Sequence, residues 1–67
     1  MQLIINGETY ADLKTDMSML DLLSHLNLPK AKIAVERNKE IVPKSSYATI
    51  VLQDGDILEI ITFIGGG

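Results

Sequence analysis

Ser18-Met19-Leu20-Asp21-Leu22-Leu23-Ser24-His25-Leu26-Asn27-Leu28-Pro29 is the one stretch of this chain with a helical rhythm. Met19, Leu22, Leu23 and Leu26 fall at i, i+3, i+4 and i+7, so they line one stripe of a helix. Ser18 stands where an N-cap is wanted. Asp21, three residues on, supplies a weak form of the capping box and a negative charge at the positive end of the helix. Pro29 bars its neighbour Leu28 from helical geometry, which predicts a stop near Asn27. One helix with one apolar stripe needs one apolar sheet face to cover it.

Outward from the helix, both sides supply strands. Gln2 to Asn6 reads as a strand, and Asn6-Gly7 is a type I′ hairpin signal, because both central residues of that turn need positive φ. Glu8 to Leu13 returns as the second strand. After the helix, Lys32 to Arg37 forms a third strand, Asn38-Lys39 a turn and Glu40-Ile41-Val42 a short fourth strand closed by Pro43. A single helical turn is expected near Ser45-Ser46-Tyr47. Asp54-Gly55-Asp56 is a tight turn, and Ile57 to Ile64 is the last and most β-prone strand. The order predicts an α+β fold of the β-grasp type, a small mixed sheet with one helix packed on one face and the last strand central and parallel to the first. Residues 1–64 form that domain, and 65–67 are expected to be a flexible glycine tail. Leu3, Ile5, Leu22, Leu23, Leu26, Val35, Leu58 and Ile60 are the expected core.

At 67 residues the chain is one domain with a thin core, which disfavours a deep, dry catalytic cleft. It is 46% hydrophobic and 22% charged, the balance of a globular protein rather than a disordered one. It has no cysteine, so neither a disulfide nor a thiolate metal site holds it together. No run approaches the roughly 18 uninterrupted apolar residues of a membrane span. Met1 to Gly7 lacks the features of a signal or transit peptide, and the cytoplasm is the expected compartment. The net charge is -3, acidic at both ends with a basic middle. Nucleic acid and membrane are therefore not expected partners, since phosphate binding needs a dominant basic surface. The acidic last third points to a partner with a basic docking surface.

Gly65-Gly66-Gly67 is the strongest functional signal. Glycines lose much entropy on ordering and bury nothing, so these three do not serve the fold. Extended, they reach about 10 Å beyond the last strand, slender enough to thread a narrow tunnel. The contrasting reading is a frayed end with no role. The strand before them has a surplus of apolar residues. If Leu58, Ile60 and Thr62 face the helix, then Ile61 and Phe63, with neighbouring Ile64 and the acidic Glu59, make a docking patch beside the tail. Otherwise they pack under the 44–53 segment. His25 reads as a surface residue, Asp54 and Asp56 as turn residues, and Ser45 and Ser46 lack a base. Asn6-Gly7 is not a phosphate loop, because no other glycine follows at the needed spacing. These residues contain no catalytic constellation and no metal site.

The runs Val35-Glu36-Arg37-Asn38-Lys39-Glu40-Ile41-Val42-Pro43 and Leu52-Gln53-Asp54-Gly55-Asp56-Ile57-Leu58-Glu59-Ile60-Ile61, followed by the glycine terminus, resemble the ThiS family of thiamin-biosynthesis sulfur carriers. Ile5-Asn6-Gly7-Glu8 and the Leu-rich helix match as well, so the resemblance covers essentially the whole chain. It departs only in having three glycines where two are required. The resemblance implies a ubiquitin-like β-grasp protein that is a covalent substrate rather than an enzyme. A ubiquitin-activating-like adenylyltransferase would join AMP from ATP to the Gly67 carboxylate, with Gly65 and Gly66 threading its active site. A persulfide donor would then convert the adenylate to a thiocarboxylate, and thiazole synthase would receive the sulfur. No cofactor is implied on the chain itself; ATP is used by the partner. Three alternatives share the scaffold: a sulfur carrier for molybdopterin synthesis, a ubiquitin-like protein modifier, and a non-covalent interaction module with an inert tail.

Overall fold

The computed structural model describes residues 1–63. The expected docking residue Ile64 and the tail glycines Gly65, Gly66 and Gly67 lie outside the described residues. The chain runs β1 (Leu3–Ile5), β2 (Glu8–Tyr10), α1 (Met19–His25), β3 (Ile33–Arg37), β4 (Glu40–Val42) and β5 (Ile57–Thr62), with short 3-10 turns at Lys30–Lys32 and Lys44–Ser46. The strands make one five-stranded sheet in the order β2-β1-β5-β3-β4. β5, last in the chain, lies in the middle, parallel to β1 and antiparallel to β3. This is the β-grasp α+β fold that the order of elements predicts.

The turns behave as their residues require. Asn6 and Gly7 have φ of 50° and 81°, as do Asn38 and Lys39 at 50° and 72° in the second hairpin. β2 is shorter than expected, ending at Tyr10 rather than Leu13. Asp12 (φ 61°) and Asp16 (φ 64°) break the extended run, since Asp tolerates the left-handed region better than most residues. The third strand begins at Ile33, because Lys32 belongs to a 3-10 turn.

The helix is closed at both ends. Ser18 Oγ accepts from the Asp21 N–H and Asp21 Oδ2 accepts from the Ser18 N–H, each at 3.0 Å, so the capping box is fully reciprocal. The next two N–H groups are met from far along the chain: Met19 donates to the Ile50 carbonyl at 2.9 Å and Leu20 to that of Tyr47 at 2.8 Å. All the donors that a helix N-terminus leaves open in its first turn thus have partners. At the other end Asn27 turns left-handed (φ 59°) and donates to the Ser24 carbonyl, while Leu28 donates to that of Leu23. This Schellman closure ends the helix one residue before Pro29 could act on it.

Leu3, Ile5, Leu22, Leu23, Val35, Leu58 and Ile60 are buried as expected, together with Met19 from the helical stripe. Leu26 is a correction: it is only partly buried, because it sits at the C-cap beyond the last helical turn. Ile33, Val42, Tyr47 and Leu52 join the core without having been expected there. Tyr47 and Leu52 are buried because the 44–53 segment is hydrogen-bonded across the start of the helix, and Leu52 also donates to the Met17 carbonyl at 2.8 Å.

The turn feeding β5 is held by Asp56, which is buried. Its carboxylate accepts from Arg37 Nε at 2.8 Å, Asn38 Nδ2 at 3.0 Å and the Gln53 N–H at 2.8 Å. Burial alone pushes the Asp56 carboxyl up, but the bonds from Gln53, Asn38 and Arg37 and the guanidinium charge outweigh it, leaving the pKa below the usual carboxylate value. A depressed folded value means that the unfolded chain binds the proton first as pH falls. The stability that Asp56 contributes is therefore present above its unfolded pKa and lost as pH drops through the folded one, from about pH 5 downward. Asp56→Asn should cost about 1–3 kcal/mol at neutral pH. Urea melts at pH 7 and below pH 4 should show a shallower acid loss in the variant than in the parent.

Candidate functional site

β5 is the last element before the glycine run in the sequence, so its outward side chains are the described strand residues nearest to that run along the chain. Alternation along the strand splits it cleanly. Leu58 and Ile60 point into the core, whereas Glu59 is exposed and Ile57, Ile61 and Phe63 are 50%, 56% and 58% exposed. The outward residues do not pack under the 44–53 segment, which lies instead against the helix start. The expected patch of Glu59, Ile61 and Phe63 is thus brought together on the open face of the sheet. Thr62, expected to face the helix, is exposed at the rim of a shallow groove lined by Ile5, Asn6, Tyr10, Leu26 and Leu28, because β1 has already ended beside it.

Two sets of bonds hold the end of β5. On one side Phe63 donates its N–H to the Lys32 carbonyl at 2.8 Å. On the other, Asn6 Nδ2 donates to the Ile60 carbonyl at 3.1 Å and Asn6 Oδ1 accepts from the Ile60 N–H at 2.8 Å. The Asn6 side-chain amide imitates the next peptide of β1 and prolongs the parallel ladder past the hairpin turn. Asn6 reads in the sequence as a turn residue only. Its second role has one signal, that Asn alone among good turn formers carries both a donor and an acceptor in an amide.

The other candidates are structural. Asp54 Oδ1 accepts from the Gln2 N–H at 2.7 Å, and Asp56 is engaged by Arg37, so the two do not form an acid/base pair. His25 is exposed in the last turn of the helix. Among the described residues no group of three or more His, Cys, Asp or Glu is placed to hold a metal ion. No described helix is long and apolar enough to cross a membrane.

Comparison with known proteins follows the same outline. The model of the ThiS family matches residues 2–67. The sulfur carrier protein ThiS of Bacillus subtilis is 40% identical over 63 residues, spanning 94% of this chain and 96% of that one. A thiazole synthase of Paramagnetospirillum magneticum is 54% identical over all 67 residues, but the chain spans only 20% of its length. The crystal structure of the thiamine biosynthesis protein ThiS from Geobacter metallireducens superposes with a TM-score of 0.82 at 32% identity, covering 100% of both chains.

Proposed function

The chain belongs to the ThiS family of sulfur carriers, and on that premise we propose that it carries sulfur for thiazole formation in thiamin biosynthesis as a thiocarboxylate on Gly67. What supports this most is the combination of family membership over residues 2–67 with the run Gly65-Gly66-Gly67, a residue type that loses much entropy on ordering and buries no side chain. A carboxylate is a poor acyl donor, so it must first receive a leaving group. The Gly67 carboxylate attacks the α-phosphorus of ATP on a ubiquitin-activating-like adenylyltransferase, and pyrophosphate leaves. The terminal sulfur of a persulfide donor then displaces AMP, and a thiol cleaves the resulting S–S bond to free the thiocarboxylate. The carrier contributes no catalytic group and binds no cofactor; ATP belongs to its partner. The cytoplasm is the proposed setting. Thiazole synthase is the proposed acceptor, a reading favoured by the thiazole synthase that contains a segment 54% identical to this chain.

Intact-mass measurement of the protein from its native cell tests the chemistry. A mass gain equal to one oxygen-to-sulfur exchange at Gly67 is expected. A tail joined to lysine would point to a protein modifier, and an unmodified tail under thiamin-limited growth would count against the carrier.

Glu59, Ile61, Phe63 and Ile64 form the proposed docking side, with Gly65 and Gly66 threading the partner's active site. Phe63 is exposed and stands two residues before the glycine run in the sequence, so as an anchor its change Phe63→Ala should weaken binding to the adenylyltransferase by more than about 1 kcal/mol. Its melting temperature should stay nearly unchanged. Calorimetric titration beside a thermal melt reads both, and unfolding with binding spared would place Phe63 in the core.

A further inference from the structure

The open face of the sheet has a feature that its fold does not call for. The β3–β5 register sets Glu36 directly opposite Glu59, and the β3–β4 register sets Ile41 on the far side of Glu36. Side chains at such opposed positions stand about 5 Å apart at Cβ, where two like charges destabilise the sheet. The single ion pair among the described residues is Arg37–Asp56, at the turn that feeds β5. Neither glutamate therefore has a cation of this chain within salt-bridge distance among the described residues.

What surrounds the pair is apolar. Ile57 and Ile61 flank Glu59 along β5, half exposed, and Ile41 is 70% exposed beside Glu36. Ala34 is opposite Ile61 and Ile4 is opposite Ile57, which extends the apolar surface across neighbouring strands. A partner that covered these isoleucines would also take both carboxylates out of water. Burying two adjacent negative charges without a cation is prohibitive, whereas a cation between them would turn repulsion into two charge-assisted bonds. A guanidinium suits this seat better than an ammonium, because its flat fork carries five donors and is weakly hydrated. A second copy of the chain does not fit, since apposing the two faces would bring four carboxylates together.

We infer that this face docks a protein partner that inserts an arginine between Glu36 and Glu59, within an apolar surface that covers Ile41, Ile57 and Ile61. The inference rests on the carrier reading and extends it: it names the chemistry of the partner's surface and adds Glu36, Ile41 and Ile57 to the docking side.

Glu36→Lys is the sharpest test. It places a cation opposite Glu59, so the variant should melt at a higher temperature than the parent, while binding to the source organism's adenylyltransferase weakens by about tenfold or more. Glu36→Gln combined with Glu59→Gln should also weaken binding, flatten its dependence on salt and not lower the melting temperature. Opposite movement of stability and affinity is the signature, because a structural role would move both together. Unchanged affinity in both variants would overturn the inference, and so would affinity lost in step with stability. Concentration-dependent dimerisation of the parent through this face would overturn it in favour of a second copy. Adenylation that is normal in the parent, insensitive to Glu36 and stopped by loss of Gly67 would leave the carrier reading standing alone. A parent that neither binds the adenylyltransferase nor is adenylated would sink both.

Discussion

Deleting Gly67 should cut adenylation by the partner enzyme at least about a hundredfold, with no change in melting temperature. The reacting carboxylate must lie in line with the α-phosphorus of ATP, and displacement by about 1 Å at such a centre costs around a hundredfold in rate. Removing one residue withdraws it by about 3.5 Å. One residue added after Gly67 should be equally damaging, because the carboxylate is then displaced the other way. Gly66→Val separates reach from width: the length is kept, but a β-branched side chain stiffens and thickens the tail. ATP–pyrophosphate exchange reads all three variants. The core residues closest to the glycine run in sequence, Leu58 and Ile60, are untouched by any of them, so folding gives no competing explanation. Undiminished exchange after loss of Gly67 would leave a non-covalent module with an inert tail as the better account.

Leu23→Ala should destabilise the domain by about 2–5 kcal/mol, the range for truncating a buried leucine. Leu23 is 1% exposed on the inward stripe of the helix. Its backbone carbonyl also accepts from the Leu28 N–H in the Schellman closure, and Leu28 packs, partly buried, against the core. A domain of this size has a total stability on the order of 3–10 kcal/mol, so this one change can unfold much of the population at ambient temperature. Leu26→Ala is the internal control and should cost clearly less, because Leu26 is only partly buried. Equal melting of parent and Leu23→Ala would show that the helix presents a different stripe to the sheet. The contrast with Phe63→Ala is the useful one: loss of stability without a binding defect at one site, and the reverse at the other.

Several parts of this protein were legible because their causes are local. The helix announces itself through a cap, a stripe and a stop within a dozen consecutive residues. Asn6-Gly7 and Asn38-Lys39 set their own turns, since the positive φ that a tight hairpin needs depends on the residues in the turn. The outward set Ile57, Glu59, Ile61 and Phe63 followed from strict alternation once Leu58 and Ile60 were assigned inward. The glycine run is read from residue type alone, since glycines add nothing to a core, and it lies outside the described residues.

What only the tertiary structure decided depends on groups brought together from far apart. Tyr47 and Leu52 look like loop residues by periodicity, yet they are buried, because the helix start needs acceptors and the 44–53 carbonyls supply two of them. Leu26 fits the stripe in a projection that runs the helix to Asn27, whereas the last helical residue is His25 and Leu26 is already the C-cap. Asn6 binds Ile60, 54 residues on, and Asp56 binds Arg37, 19 residues away. No local pattern encodes either pairing. Glu36 belongs to the basic middle of the sequence and Glu59 to its acidic end, and only the β3–β5 register sets them face to face. The sequence by itself determined the elements and their order, because propensity and alternation act over a few residues. The register of strands distant in the chain determined which charges share a surface, because it is set by the packing of the whole core.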